Sequence, residues 1–99
     1  MLKKRIFKTK SEVEITFEHV SESQNKVELV ADFNSWQPVK MVYSKKFKVF
    51  RASIRLPKDG QFQFRYLINK VEWQNEHTAD SYLNNDFGSD NSVVSTFVN

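Results

Sequence analysis

Over residues 12 to 18, Glu-Val-Glu-Ile-Thr-Phe-Glu, every second position is apolar: Val13, Ile15 and Phe17 alternate with acids and a hydroxyl. A period of two sends successive side chains to opposite faces, so this stretch predicts a β-strand with one buried and one wet face. Ser21-Glu22-Ser23-Gln24-Asn25 is a polar turn. Alternation resumes in Lys26-Val27-Glu28-Leu29-Val30, which predicts a second, antiparallel strand. Turn-forming residues then surround two aromatics in Asp32-Phe33-Asn34-Ser35-Trp36-Gln37-Pro38, a segment too aromatic to be a plain connector.

Val39 to Tyr43 predicts a short strand, Lys45-Lys46 a tip, and Phe47 to Leu56 a longer strand. Its Phe50, Ala52, Ile54 and Leu56 face inward and its Arg51, Ser53 and Arg55 outward. Pro57-Lys58-Asp59-Gly60 is a turn. Gln61 to Ile68 sets Phe62, Phe64, Tyr66 and Ile68 against Gln61, Gln63 and Arg65, as expected of a central strand. Residues 74 to 91 read as loop, and Ser92 to Phe97 as a closing strand.

No segment carries helical apolar spacing over three turns, and there is no internal repeat. Seven or eight short strands within 99 residues predict one all-β domain over 1–99, an immunoglobulin-like antiparallel sandwich. Nine Phe and an aromatic share of 14% suit a core of rings and β-branched residues.

Charge and absences narrow the chemistry. Residues 1 to 10 hold five basic side chains and no acid, whereas residues 71 to 99 hold five acids and no Lys or Arg. With 12 acids against 15 bases overall, the basic start is expected to serve solubility, and nucleic acid is an unlikely partner on this reading. No stretch is apolar enough for a signal-peptide core or a membrane span, so a cytoplasmic location is expected. There is no Cys, and the two histidines, His19 and His77, stand in no catalytic motif, so no enzymatic activity is expected. His77 with Glu76 and Asp80, and the stretch Asn84 to Asp90, fit no metal-binding spacing, so neither a metal nor a cofactor is expected. Two glycines leave nothing for an elaborate phosphate-binding loop.

What remains is a pair of tryptophans, Trp36 and Trp73, each flanked by polar residues. An indole offers an apolar face to the C–H face of a pyranose, while Asn, Gln, Lys or Arg nearby bond its hydroxyls. Arg65 and Asn91 are candidates for those polar groups.

Four segments, in order, carry a resemblance: Asp32-Phe33-Asn34-Ser35-Trp36; Leu56 to Ile68; Glu72-Trp73; and Phe87 to Val94. Over residues 30 to 95 the chain resembles the glycogen-binding and isoamylase N-terminal early-set family, also grouped as carbohydrate-binding module family 48. That family includes the glycogen-binding module of AMP-activated kinase β subunits. The resemblance implies a non-catalytic sandwich that binds α-1,4-linked glucan (glycogen, starch or maltooligosaccharide). It implies stacking by Trp36 and Trp73, hydroxyl bonding by Arg65 and Asn91, and a loop contact by Phe87. Departures are Ala31, where the family has Gly, and Asn69-Lys70-Val71-Glu72, one residue longer than the usual Asp-Gly turn.

Two other readings compete. Aromatic surface also suits a regulatory or docking module for a glycogen-metabolising enzyme or kinase, carried on a separate polypeptide. Binding of single-stranded nucleic acid ranks third, because it calls for aromatics interleaved with Lys and Arg on adjacent strands.

Overall fold

The computed structural model describes residues 1–85 and 88–97. Phe87, expected to touch the ligand, lies outside the described residues. Among the described residues ten strands form two antiparallel sheets packed as a sandwich, compatible with an immunoglobulin-like fold. The first sheet has the order β1 (Leu2–Ile6), β2 (Glu12–His19), β6 (Val49–Pro57), β5 (Val42–Ser44). The second has the order β4 (Val39–Lys40), β3 (Val27–Ala31), β7 (Gln61–Ile68), β10 (Asp90–Ser95), β9 (Ser81–Asn84), and β8 (Glu72–Gln74) also pairs with β7.

The alternating residues meet between the sheets. Val13, Ile15, Phe17, Leu56 and Phe50 from the first sheet bury against Val27, Leu29, Phe64, Tyr66 and Val94 from the second. Burial at this level contributes roughly 1.5–3 kcal/mol for each large apolar side chain, the main force holding the layers together. The rings interlock edge to face: Phe64 lies 4.9 Å from Phe17 and 5.7 Å from Tyr66, centroid to centroid. Phe33 also turns inward, 6.2 Å from both Phe17 and Phe62. The two aromatics of the segment 32–38 therefore do opposite things, Phe33 joining the core and Trp36 staying outside.

The observed strands exceed the expected seven or eight, for three reasons. The run 39–43 is divided at Met41, which is buried and sends its N–H to the Val27 carbonyl at 2.9 Å. β4 thereby joins one sheet and β5 the other. The basic start forms β1, where Leu2 and Ile6 register with Phe17 and Val13. Within 74–91, expected as loop, Gln74 ends β8 and residues 81–84 form β9.

At the turn 57–60 the left-handed residue is Asp59, at φ 61°, rather than Gly60. Gly60 is needed for space: a Cβ there would meet the Phe62 ring at 2.9 Å. Thr96 ties this turn down, its Oγ1 accepting from the Gly60 N–H at 2.9 Å and donating to the Pro57 carbonyl at 2.7 Å.

Candidate functional site

β7 is the axis of the site. One of its edges pairs with β3. Its other edge pairs with two strands placed end to end: β10 against residues 61–64 and β8 against residues 66–68. Arg65 falls at the break between them, opposite Val30 of β3. In this register Gln63, Arg65 and Leu67 share the outer face. Trp73 stands opposite Leu67, and Asn91 lies on β10 two positions before Val93, which is opposite Gln63. Trp36 reaches the same place from the β3 edge, at the end of a short 3-10 turn (Asp32–Asn34). Trp36, Arg65, Trp73 and Asn91 therefore line one groove of about 590 Å³, together with Asn85 and Ser89. That volume is within the range of small-molecule sites.

Each side chain has a specific support. Trp36 is 42% exposed and Trp73 47% exposed, so neither indole is a core residue. Ser35 and Trp36 sit at φ 61° and 62°, the left-handed region, which is uncommon for a bulky residue. The Trp36 N–H donates to the Ala31 carbonyl at 2.8 Å and holds that turn. Backbone held in this region concentrates at functional sites. Trp73 is presented by a hairpin whose central residues, Asn69 and Lys70, have φ 51° and 63°, with Val71 N–H closing onto the Ile68 carbonyl at 3.1 Å. Two successive positive φ values match the twist of the flanking strands, so the longer turn still makes a regular hairpin.

The Arg65 guanidinium lies 5.4 Å from the centroid of the Trp73 ring, a cation–π contact of about 0.5–1 kcal/mol that fixes both side chains. The buried Arg65 Nε meets no acceptor among the described residues. Asn91 is only 8% exposed; its Nδ2 donates to Gln63 Oε1 at 3.1 Å, and its Oδ1 accepts from Asn85 Nδ2 at 3.2 Å. Asn85 Nδ2 also donates to Ser89 Oγ at 2.9 Å. Among the described residues one N–H of the Asn91 amide and a lone pair on its oxygen take no partner, so it both orders its neighbours and keeps bonding capacity.

Gln63, Asn85 and Ser89 are additions to the sequence-based set. Gln63 was legible as the outward neighbour of Arg65. Asn85 and Ser89 belong to the stretch weighed above for metal binding, and it is the fold that brings them to the groove.

A second concavity, of about 580 Å³, is lined by Gln74, Asn75, Glu76, His77, Tyr82 and Asp90. It has no tryptophan, and its buried acid, Glu76, is already occupied. Glu76 is 3% exposed. Its Oε1 accepts from the Met1 ammonium at 2.5 Å and from Tyr66 Oη at 2.8 Å. Its Oε2 accepts from the Thr78 N–H at 2.9 Å and from Thr78 Oγ1 at 3.0 Å. Burial pushes the Glu76 pKa up, but these bonds outweigh it and hold the carboxyl below the usual range. Asp80, another acid weighed as a ligand, instead accepts from Lys4 Nζ and the Ser95 N–H, each at 2.7 Å. Glu76 and its neighbours also close the gap between β8 and β10. The Glu76 N–H donates to Ser92 Oγ at 2.9 Å, Ser92 Oγ donates to Asn75 Oδ1 at 2.8 Å, and Asn75 Nδ2 donates to the Asp90 carbonyl at 2.9 Å.

No protein-family model matches the chain, and no curated protein matches it.

Proposed function

We propose that this chain is a non-catalytic carbohydrate-binding module that takes α-1,4-linked glucan chains in the groove on the outer face of the six-stranded sheet. The observation that carries the reading is the convergence of two exposed tryptophans, one from the turn after β3 and one from β8, on a groove whose floor holds Arg65 and Asn91. Each indole offers a flat apolar surface to the C–H face of one glucose unit. Between them, Arg65 supplies donors, and Asn85, Ser89 and Asn91 supply both donors and acceptors for hydroxyls. The supporting bonds among Asn91, Gln63, Asn85 and Ser89 hold these groups in place before the ligand arrives, which lowers the ordering cost of binding. The resemblance of residues 30 to 95 to the glycogen-binding and isoamylase N-terminal family points to the same ligand class.

Two stacked rings and a few polar contacts on a well-hydrated ligand give modest affinity, roughly micromolar to millimolar for a short oligosaccharide. Several chain ends on one polymer raise the apparent affinity by avidity. The test is electrophoresis of the purified chain through gels with and without glycogen. The wild type is retarded by glycogen and the Trp36→Ala, Trp73→Ala variant is not. Equal mobility of a folded wild type in both gels would overturn the reading.

A further inference from the structure

The opposite face of the sandwich has a different character. Ten of the fifteen Lys and Arg residues lie on the four-stranded sheet or in the loops joining β1 to β2 and β5 to β6, against three of the twelve acids. In register, Lys3, Arg5, Thr16, Arg51, Ser53 and Arg55 all occupy the outer side of this sheet, away from the core residues Ile15 and Phe17. Glu14 lies among them, opposite Arg5 and Arg55, and Glu18 is held by Arg51 at 3.0 Å and Lys3 at 3.4 Å.

Two phenylalanine rings are set into this basic face. Lys3, Lys46 and Arg51 each place their charge 5.3–5.4 Å from the centroid of Phe47. Arg5, Lys10 and Arg55 lie 4.8–5.7 Å from the centroid of Phe7. Arg51 and Arg55 are four residues apart on β6, so the two clusters lie about 13 Å apart along the strand. Between them Thr16 and Ser53 join hydroxyls at 2.9 Å.

We infer that this face binds single-stranded nucleic acid, with Phe7 and Phe47 as base-stacking platforms and the surrounding Lys and Arg as phosphate contacts. Phe7 and Phe47 lie in the loops beside strands that carry Lys3, Arg5, Arg51 and Arg55, and rings set among cations in this way are what a sequence-tolerant single-strand site requires. In a duplex the bases are already stacked on one another and leave these rings nothing to take. Phe7 is half-buried against the sheet, the posture of a platform rather than of an anchor projecting into lipid. The tryptophan groove lies on the other sheet, so the two sites are independent.

The test is fluorescence anisotropy of a labelled ten-nucleotide oligo-uridine titrated with the intact chain. With about four phosphates engaged, affinity falls about fiftyfold between 50 and 200 mM salt. Phe7→Ala, Phe47→Ala loses about thirtyfold or more, in line with two stacking contacts. Lys46→Gln, Arg55→Gln alters exposed side chains outside the core and lowers the salt slope by about 1.4. Trp36→Ala, Trp73→Ala binds like wild type. Absence of binding at 50 mM salt, binding that survives loss of both rings, or binding to phosphatidylserine vesicles without binding to the oligonucleotide would each overturn the inference.

Discussion

Replacing Glu76 by Gln tests how the strands beneath the groove are held together. The glutamate receives four hydrogen bonds on two oxygens, two of them from the Met1 ammonium and the buried Tyr66 hydroxyl. A glutamine keeps one acceptor and turns an NH2 group toward the donors of the other, so one pair of donors loses its partner. Breaking a buried ion pair from one side costs about 3–5 kcal/mol, but Met1 is largely exposed and water recovers part of that. A loss of about 2–3 kcal/mol follows, and at 4–8 °C per kcal/mol in a domain of this size the midpoint of unfolding drops by about 10–20 °C. The assay is thermal unfolding at pH 7 followed by near-ultraviolet circular dichroism. Because the folded Glu76 carboxyl titrates below its ordinary value, its contribution is complete above that value and is lost as pH falls through the folded pKa. The gap between wild type and variant therefore shrinks on going from pH 7 to pH 3. A midpoint within 2 °C of wild type at pH 7, or a gap that does not change with pH, would refute the reasoning.

Other outcomes follow from single contacts. His19 stacks on Tyr66 at 4.3 Å and bonds Gln74 Oε1 at 2.6 Å; burial lowers its pKa against the raising effects of Gln74 and of the Glu76 charge. Folding therefore favours the neutral ring, stability declines as pH drops below about 6.5, and an NMR titration should place its midpoint below that value; a midpoint at or above it contradicts the packing. Gly60→Ala drives a methyl into the Phe62 ring and should cost about 1–3 kcal/mol in urea unfolding, with no change expected if the turn yields freely. Arg65→Ala removes the cation over Trp73 and the central hydroxyl donors, so maltoheptaose binding should weaken about tenfold by calorimetry while thermal stability changes by less than about 1 kcal/mol.

Much of this architecture is legible in the sequence because one rule suffices for the interior strands. Val13, Ile15 and Phe17, like Phe64, Tyr66 and Ile68, are apolar at every second position, and all of them are buried. The rule fails at the edges. β9 exposes all four of its residues, so Ser81-Tyr82-Leu83-Asn84 has no buried face to mark it. In β1 the positions opposite Phe17, Ile15 and Val13 are Leu2, Lys4 and Ile6, so a lysine interrupts the apolar alternation, Ile6 stays half exposed, and the stretch reads as a run of charge. Alternation also breaks at the end of β2, where Glu18 and His19 are both buried, one under Lys3 and Arg51 and the other against Tyr66. Within the groove, Trp36 and Trp73 are visible in advance as aromatics among polar neighbours. Asn85 and Ser89 are not, because their place depends on how the loop before β10 closes, a matter of three-dimensional hydrogen bonding rather than of local pattern. The charge distribution shows the same limit. Along the chain, bases at the start and acids at the end offset one another, whereas the fold gathers ten of the fifteen bases on one sheet and its two loops.

The central claim is that the two tryptophans form a single sugar platform, and calorimetric titration of the intact chain with maltoheptaose addresses it most directly. The account predicts saturable binding in the micromolar to millimolar range, abolished in Trp36→Ala and in Trp73→Ala separately, with both variants folded. A folded wild type that gives no binding heat, or binding that persists when either indole is removed, would contradict it.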